Sequence, residues 1–246
     1  MLLEFIQKFL FILSGKGYGG VHSVKNEVRT IMKIIESPIL IFDIGANKGY
    51  NTEALLLQNK NAKIYCFEPS NSNIETLNSK FSMLKNVYII NYALSNYSGE
   101  AELYFDTPGS GLGSLTKRDL SFLNINFESS QKIQVTTFKK FYQTNFPNNT
   151  IIDIVKIDVE GHEMNVLYGM KEVINKIKTI QFEFGGCNLD THTTFKDFWH
   201  FFTKNKFSIY RITPLGLLRI SKYSELDEIY KTTNYICINT NFLDNY

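Results

Sequence analysis

Short apolar runs alternate along this chain with segments in which apolar residues recur every three or four positions. The runs are typical of buried strands and lie at Ile39–Phe42, Ile64–Phe67, Val87–Ile90, Ile154–Val159, Thr179–Phe184, Phe207–Ile212 and Tyr235–Asn239. Helical periodicity falls between them, at residues 51–57, 71–81, 162–177 and 195–202. Strands that alternate with helices predict an α/β fold, doubly wound around a mostly parallel sheet.

An insert interrupts this alternation. Ala101–Phe105 and Ile133–Thr137 alternate in polarity, which predicts two paired strands in a hairpin-like insert. The glycine-dense segment Gly109–Leu115 lies between them. It lacks the Lys-Ser/Thr pair of a phosphate-binding loop, although a phosphate cradle stays open as an alternative. We interpret it as a mobile loop that closes over a site and excludes water.

The N-terminal 36 residues form a separate helical segment in this interpretation, ahead of a domain at residues 37–246. Met1–Leu13 predicts an amphipathic helix whose apolar part is too short to span a bilayer. We expect this helix to pack on the domain or on a second copy of the chain, with membrane contact as the alternative. Ser23–Glu36 predicts a second helix, capped by Ser23 and stopped by Pro38.

Composition narrows the class of protein. The 246 residues carry a formal net charge of +2, and 20% of them are charged, so the basic field of a nucleic-acid-binding protein is missing. The 43% hydrophobic content is enough to fill a sizeable core. Cys66, Cys187 and Cys237 are far apart and in apolar contexts, which favours reduced thiols and a cytoplasmic location over a disulfide framework or a zinc site.

The first strand continues into a glycine turn and a helix, the arrangement that places a ligand at the carboxyl end of a strand. Asp43, Gly45 and Gly49 mark this turn, but Asn47 stands where the dinucleotide fingerprint has its second glycine. An acid at the strand end suits an ammonium group, and Glu68, after the second strand, suits ribose hydroxyls. An amino-acid end and a ribose without phosphate describe S-adenosylmethionine, while an NAD-type oxidoreductase remains the alternative.

A second group of polar residues follows the strand that begins at Ile154. Lys156 and Asp158 are charged residues within this otherwise apolar strand. Glu160, His162 and Glu163 come directly after it. These side chains should lie at the same sheet edge as the first glycine turn. Grouping several charged side chains over a cleft costs free energy of folding, and proteins keep such groups where they serve binding or catalysis. These residues are therefore a candidate functional site. The alternative for the two glutamates is that they cap a helix.

The chain resembles the FkbM-type methyltransferases, an S-adenosylmethionine-dependent family that acts mostly on hydroxyl groups. The matching motifs are Asp43-Ile44-Gly45-Ala46-Asn47 with Gly49, Phe67-Glu68-Pro69, Asn91 with Ala93-Leu94-Ser95, Gly113-Ser114-Leu115, and Lys156-Ile157-Asp158-Val159-Glu160-Gly161-His162-Glu163. The resemblance implies a seven-stranded methyltransferase sheet with its last strand antiparallel. It also implies a cofactor site, for which we expect contacts from Asp43, Gly45, Ala46, Asn47, Gly49, Glu68, Pro69, Asn91, Ala93, Ser114 and Asp158.

Methyl transfer to a hydroxyl group needs an aligned acceptor and a base that takes its proton. We expect His162 to be that base, with Asp158 beside it favouring the charged imidazole. Substrate contacts are expected from Lys156, Glu160, Glu163 and Glu183. A divalent cation held by the same acids is the second choice.

The acceptor class comes from the resemblance alone. It implies a carbohydrate or nucleotide-activated sugar destined for a surface polysaccharide. A catalytically silent scaffold with the methyltransferase fold stays open, although the intact acids at positions 43, 68 and 158 count against it.

Overall fold

A computed structural model describes residues 2–20 and 22–242. Its α-helices are α1 Leu2–Leu13, α2 Val24–Ile34, α3 Tyr50–Gln58, α4 Asn71–Phe81, α5 Phe138–Asn145, α6 Glu163–Met170, α7 Cys187–Asp190 and α8 Phe195–Lys204. Its strands are β1 Leu40–Ile44, β2 Lys63–Phe67, β3 Val87–Ile90, β4 Ala93–Ser95, β5 Gly99–Phe105, β6 Ser129–Thr137, β7 Ile152–Ile157, β8 Ile177–Phe184, β9 Phe207–Thr213, β10 Gly216–Ile220 and β11 Thr233–Asn239. Short 3₁₀ helices lie at Ser121–Leu123, Lys171–Lys176 and Glu225–Asp227.

The main sheet confirms the predicted α/β class. In the described residues it has eight strands in the order β10-β9-β11-β8-β7-β1-β2-β3. The strands from β8 to β3 in that order are parallel, and β11 is antiparallel to both of its neighbours. The expected count of seven is therefore one too low, because β10 adds an antiparallel strand at the edge beside β9.

Helices cover both faces of this sheet. Successive residues of β1 point to opposite faces, so Ile41 packs in one apolar cluster and Phe42 in the other. The Ile41 cluster contains side chains from α2, α3 and α4, and the Phe42 cluster contains side chains from α5, α6 and α8. Because Val28 and Ile31 of α2 are buried in this core, the predicted boundary at residue 37 divides elements that pack together.

The insert forms its own sheet in the order β4-β6-β5, which extends the predicted hairpin by one parallel strand. Two details of the predicted helices are wrong. The helix expected to reach residue 177 ends at Met170, where Lys171 takes a left-handed φ of 47° and a 3₁₀ helix follows. Ser23 does not cap the backbone of α2, because its hydroxyl donates instead to Glu27 Oε1.

The N-terminal helix α1 confirms the predicted element but not its packing on the domain. Its side chains at Ile6, Phe9, Leu10 and Ile12 are between 44% and 56% exposed. Contact with a second copy of the chain or with a membrane stays a prediction. Within residues 2–20 and 22–242, no helix has the length and apolarity needed to cross a membrane.

Candidate active site

The turn after β1 brings two backbone segments into close contact. Gly45 has a φ of 80°, and a Cβ atom at this position would collide with the carbonyl oxygen of Asp158. Only glycine therefore allows the turn to lie against the end of β7. Gly49 also has a φ of 80°, but its neighbours are the side chains of Phe81 and Leu77. Gly49 begins α3 and is not among the residues that line the cavities described below, so its contact with the cofactor stays a prediction.

Asp43 lies beneath the turn and is fully buried. Its Oδ2 accepts a hydrogen bond from the Thr52 hydroxyl at 2.7 Å, and its Oδ1 lies 3.8 Å from Lys156 Nζ. Asp43 is not among the residues that line the cavities at this edge, so it supports the site from below. Ala46, the next predicted contact, is also buried and donates its backbone N–H to the carbonyl oxygen of Phe67.

A cavity opens above this turn, with about 820 Å³ of space between its walls, part of it open to solvent. We call it the glycine-loop cavity. Its lining residues include Gly45, Asn47, Glu68, Pro69, Ser70, Asn73, Tyr92, Ala93, Leu94, Leu103, Phe105, Gly109, Gly111, Gly113, Leu115, Asp158, Glu160 and His162. The predicted contacts Gly45, Asn47, Glu68, Pro69, Ala93 and Asp158 are therefore brought together.

Glu68 is the central acid of the glycine-loop cavity and is 5% exposed. Its Oε2 accepts from the backbone N–H of Asn47 at 2.8 Å, and its Oε1 accepts from the backbone N–H of Ser70 at 2.9 Å. Burial raises the pKa of Glu68. Asn73 Nδ2 donates to Oε1 as well, at the longer distance of 3.4 Å, so a diol in the cavity finds a free lone pair on Oε2 and a weakly engaged one on Oε1.

The far end of the glycine-loop cavity is apolar and comes partly from the insert. Leu103 and Phe105 of β5 line it together with Tyr92. Sequence reasoning missed these residues, although the period-two alternation of β5 places the first two on one face. Asn91, predicted to contact the cofactor, is exposed and does not line this cavity. Its amide lies 3.2 Å from the backbone oxygens of Glu68 and Pro69.

The glycine-dense loop lies over this cavity, as expected for a cover. Polar residues that follow the glycines attach the loop to the end of β7. The Ser114 hydroxyl donates to the carbonyl oxygen of Glu160 at 2.8 Å, and Thr116 Oγ1 lies 2.8 Å from His162 Nε2. Ser114 is buried and is a loop attachment in this arrangement, not a lining residue. Opening and closing of the loop stays a prediction.

A second cavity, which we call the carboxylate cavity, has an empty volume of about 1280 Å³. The carboxylates on its wall are Glu27, Asp158, Glu160 and Glu183. It shares lining residues with the glycine-loop cavity, namely Gly45, Asn47, Gly111, Asp158 and Glu160. The two cavities therefore meet at the end of β7.

Lys156 is buried on the wall of the carboxylate cavity. Its ammonium group lies 3.0 Å from Asp158 Oδ2 and 3.8 Å from Asp43 Oδ1. Burial alone would lower the pKa of Lys156, but these two carboxylates hold it above its usual value. Lys156 is thus a charged bridge between Asp43, below the turn, and Asp158, which is 35% exposed in its side chain.

Glu160 and Glu183 face the carboxylate cavity from neighbouring strand ends. Burial, reinforced by the charge of Asp158, raises the pKa of Glu160 to about 8, although Arg118 opposes this shift. Arg118 Nη1 donates to Glu160 Oε2 at 2.7 Å. Burial and the charge of Asp158 also raise the pKa of Glu183. Carboxyl groups with raised pKa values are typical of functional sites.

The structure engages both ring nitrogens of His162, the predicted base. Its Nδ1 lies 3.0 Å from the Asn165 amide nitrogen, which donates to it, so Nε2 carries the proton toward Thr116. Neither ring nitrogen is left for a hydroxyl group in the cavity. Burial lowers the pKa of His162, and Asp158 does not offset this shift by stabilising the charged imidazole. The geometry therefore argues against His162 as the base.

Glu163, predicted to contact the substrate, is fully buried and is not among the residues that line the two cavities. Its Oε1 accepts from the backbone N–H groups of Val159 and Gly161, at 3.0 and 3.2 Å. It therefore stabilises the turn after β7. Within the described ranges, no group of three or more His, Cys, Asp or Glu side chains is arranged to hold a metal ion.

Relatives of the chain are methyltransferases. It is 25% identical over 174 residues to the 2-O-methyltransferase NoeI of Sinorhizobium fredii, covering 65% of this chain and 70% of that enzyme. It is 25% identical over 157 residues to the hexuronic acid methyltransferase AglP of Haloferax volcanii, covering 62% of this chain but only 59% of that enzyme.

A solved structure of methyltransferase FkbM from Methylobacillus flagellatus is also similar, with a TM-score of 0.46 and 13% sequence identity. That comparison covers 82% of this chain and 44% of the other. The methyltransferase FkbM domain model matches residues 43–209, which include the end of β1, the glycine turn and all of β7. The chain therefore belongs to the FkbM family of S-adenosylmethionine-dependent methyltransferases.

Proposed function

We propose that this chain transfers the methyl group of S-adenosylmethionine to a hydroxyl group of a carbohydrate. The observation that supports this most is the contact between the two cavities at Asp158 and Glu160. The names of the relatives NoeI and AglP, a 2-O-methyltransferase and a hexuronic acid methyltransferase, favour a sugar acceptor.

The residues of the glycine-loop cavity fit the cofactor. Glu68 offers carboxylate oxygens to the two ribose hydroxyls, and the apolar end at Leu103 and Phe105 suits adenine. Asp158, on the wall toward the carboxylate cavity, has the sign of charge that attracts a sulfonium. When bound, the cofactor supplies a methyl group that is activated by its positively charged sulfur.

Asp158 is our candidate for the base. Lys156 occupies its Oδ2 at 3.0 Å, so Oδ1 is left to face the cavities. Asp158 would take the proton of the acceptor hydroxyl group as that group is methylated. Glu160 and Glu183 line the space where the acceptor would lie. The acceptor is aligned by this wall, and alignment supplies much of the rate.

Three finer points belong to the same proposal. The acceptor is a nucleotide-activated sugar used for a surface polysaccharide, the enzyme works in the cytoplasm, and α1 mediates association of two copies. The three cysteines are buried and free, in keeping with a reducing compartment. The exposed apolar side chains of α1 supply a surface for self-association.

The test is release of S-adenosylhomocysteine from S-adenosylmethionine with a panel of free and nucleotide-activated sugars. We expect at least one sugar to support turnover, and Asp158→Asn to lower it by about 100-fold or more. Glu75→Gln, an exposed substitution on α4, is the matched control and should leave turnover unchanged. If no sugar raises the release of S-adenosylhomocysteine above the level seen with the Asp158→Asn variant, a carbohydrate acceptor is contradicted.

A further inference from the structure

Two internal cations, Lys156 on the wall of the carboxylate cavity and Arg118 on the wall of an adjoining cavity, are already neutralised by protein carboxylates. Lys156 lies against Asp158 and Asp43. Arg118 donates to Glu160 at 2.7 Å and to Asp190 at 2.9 Å, and its side chain is only 8% exposed. Each cation is thus shared between two acids, which neutralises its positive charge toward an anionic ligand.

The amide donors around the same cavity are committed as well. Glu27 is 3% exposed and takes hydrogen bonds from Gln181 Nε2 at 2.7 Å and from Asn234 Nδ2 at 3.1 Å. The Ser23 hydroxyl donates to the same carboxylate. These donors are therefore turned toward a protein acceptor and away from the space in the cavity.

Glu183 is different from the other acids on this wall. It lies near the end of β8, is half-buried, and lines both the carboxylate cavity and an adjoining cavity that contains Arg118. Among the described residues, no hydrogen-bond donor or ion-pair partner reaches its carboxyl group. The remaining cations on these walls, Lys48 and Lys231, are exposed. The wall therefore presents an unused acceptor while its own buried donors are occupied.

We propose that Glu183 selects the charge class of the acceptor: a sugar that presents hydroxyl or ammonium donors is taken, and one with a carboxylate beside the methylated hydroxyl is rejected. This rests on the proposed sugar methyltransferase function. A carboxylate placed here meets Asp158, Glu160 and Glu183 with no uncommitted buried cation, and an unpaired buried charge is costly. Hydroxyl groups instead satisfy the free acceptor.

The experiment uses three matched pairs of methyl glycosides and the corresponding uronides, in the gluco, galacto and manno series. Binding to the full chain is measured by ligand-observed NMR titration at pH 9.5, with saturating S-adenosylhomocysteine. This pH lies well above the pKa of about 8 that Glu160 has, and it is chosen because burial raises the pKa of Glu183 as well. In the wild type we expect at least one glycoside to bind about tenfold more tightly than its uronide. Glu183→Gln should reduce this ratio at least threefold, while the control Glu75→Gln should not change it.

Equal or tighter binding of the uronides by the wild type would overturn the proposal. If Glu183→Gln leaves the ratio of glycoside affinity to uronide affinity unchanged, Glu183 is not the selecting residue. The same conclusion follows if Glu75→Gln changes this ratio as much as Glu183→Gln does. Failure of all six sugars to bind, with S-adenosylhomocysteine still bound, would also overturn it. Failure to bind S-adenosylhomocysteine would instead count against the proposed function itself, so the two failures are distinguishable.

Discussion

The Glu68→Ala substitution tests two roles of one carboxylate, one in the stability of the fold and one in the proposed binding of the cofactor. Glu68 accepts the backbone N–H groups of Asn47 and Ser70, and so holds the glycine turn against the start of α4. The same carboxylate faces the glycine-loop cavity, where we propose that it binds the ribose. Its removal should therefore lower both the stability of the fold and the affinity for the cofactor.

The expected magnitudes follow from these contacts. Loss of a hydrogen bond between a ribose hydroxyl and a charged acceptor should cost about 1.5–3 kcal/mol, or about 10- to 150-fold in Kd. Each of the two backbone donors left without its acceptor should cost about 1–3 kcal/mol in the free energy of unfolding. Water that enters the emptied site will offset part of this second cost.

Calorimetric titration with S-adenosylhomocysteine measures the first effect, and urea unfolding measures the second. Glu75→Ala, which removes an exposed glutamate from α4, is the matched control and should change neither quantity appreciably. The titration must be run where Glu68→Ala is still folded. A Kd within twofold of the wild type, together with a clear loss of stability, would show that Glu68 only builds the loop and would refute its role toward ribose.

Three further outcomes are expected. Gly45→Ala should weaken S-adenosylhomocysteine binding at least tenfold in calorimetry, because φ is 80° and the new methyl group meets the Asp158 carbonyl oxygen. His162→Ala should keep kcat within about threefold in the methyl-transfer assay, since both ring nitrogens are engaged; a 100-fold loss would restore it as the base. Burial raises the pKa of Glu163 from 4.5 to about 7, so its contribution to stability is present below pH 4.5 and lost as pH rises through 7. Urea unfolding at pH 5 and 8 should show that Glu163→Gln removes about 3 kcal/mol of this pH dependence.

Periodicity was sufficient to predict seven of the eight strands of the main sheet, because buried strands leave a local pattern in the sequence. The bounds predicted for α4, residues 71–81, are those of the structure. The strand β10 was missed because it lies at the sheet edge, where none of its residues is buried. The packing of α2 into the core was missed because an amphipathic pattern shows which face is apolar and not what that face contacts.

The candidate site was predictable as a set of strand ends, but not side chain by side chain. Asp158 and Glu68 lie on cavity walls, as expected for acids that follow parallel strands. Glu163 has the same chemistry and a similar place in the sequence, yet backbone N–H groups and burial engage it in the turn. Asn165 and Thr116, which engage the two nitrogens of His162, come from α6 and the insert, so only the folded arrangement reveals them.

The central claim is that the glycine-loop cavity binds S-adenosylmethionine through residues of this chain. Calorimetric titration of the wild type with S-adenosylhomocysteine, and separately with NAD, tests it most directly when EDTA is present and no metal is added. We expect one molecule of S-adenosylhomocysteine to bind per chain and NAD to give no binding heat. Clear binding of NAD with none of S-adenosylhomocysteine would contradict the account.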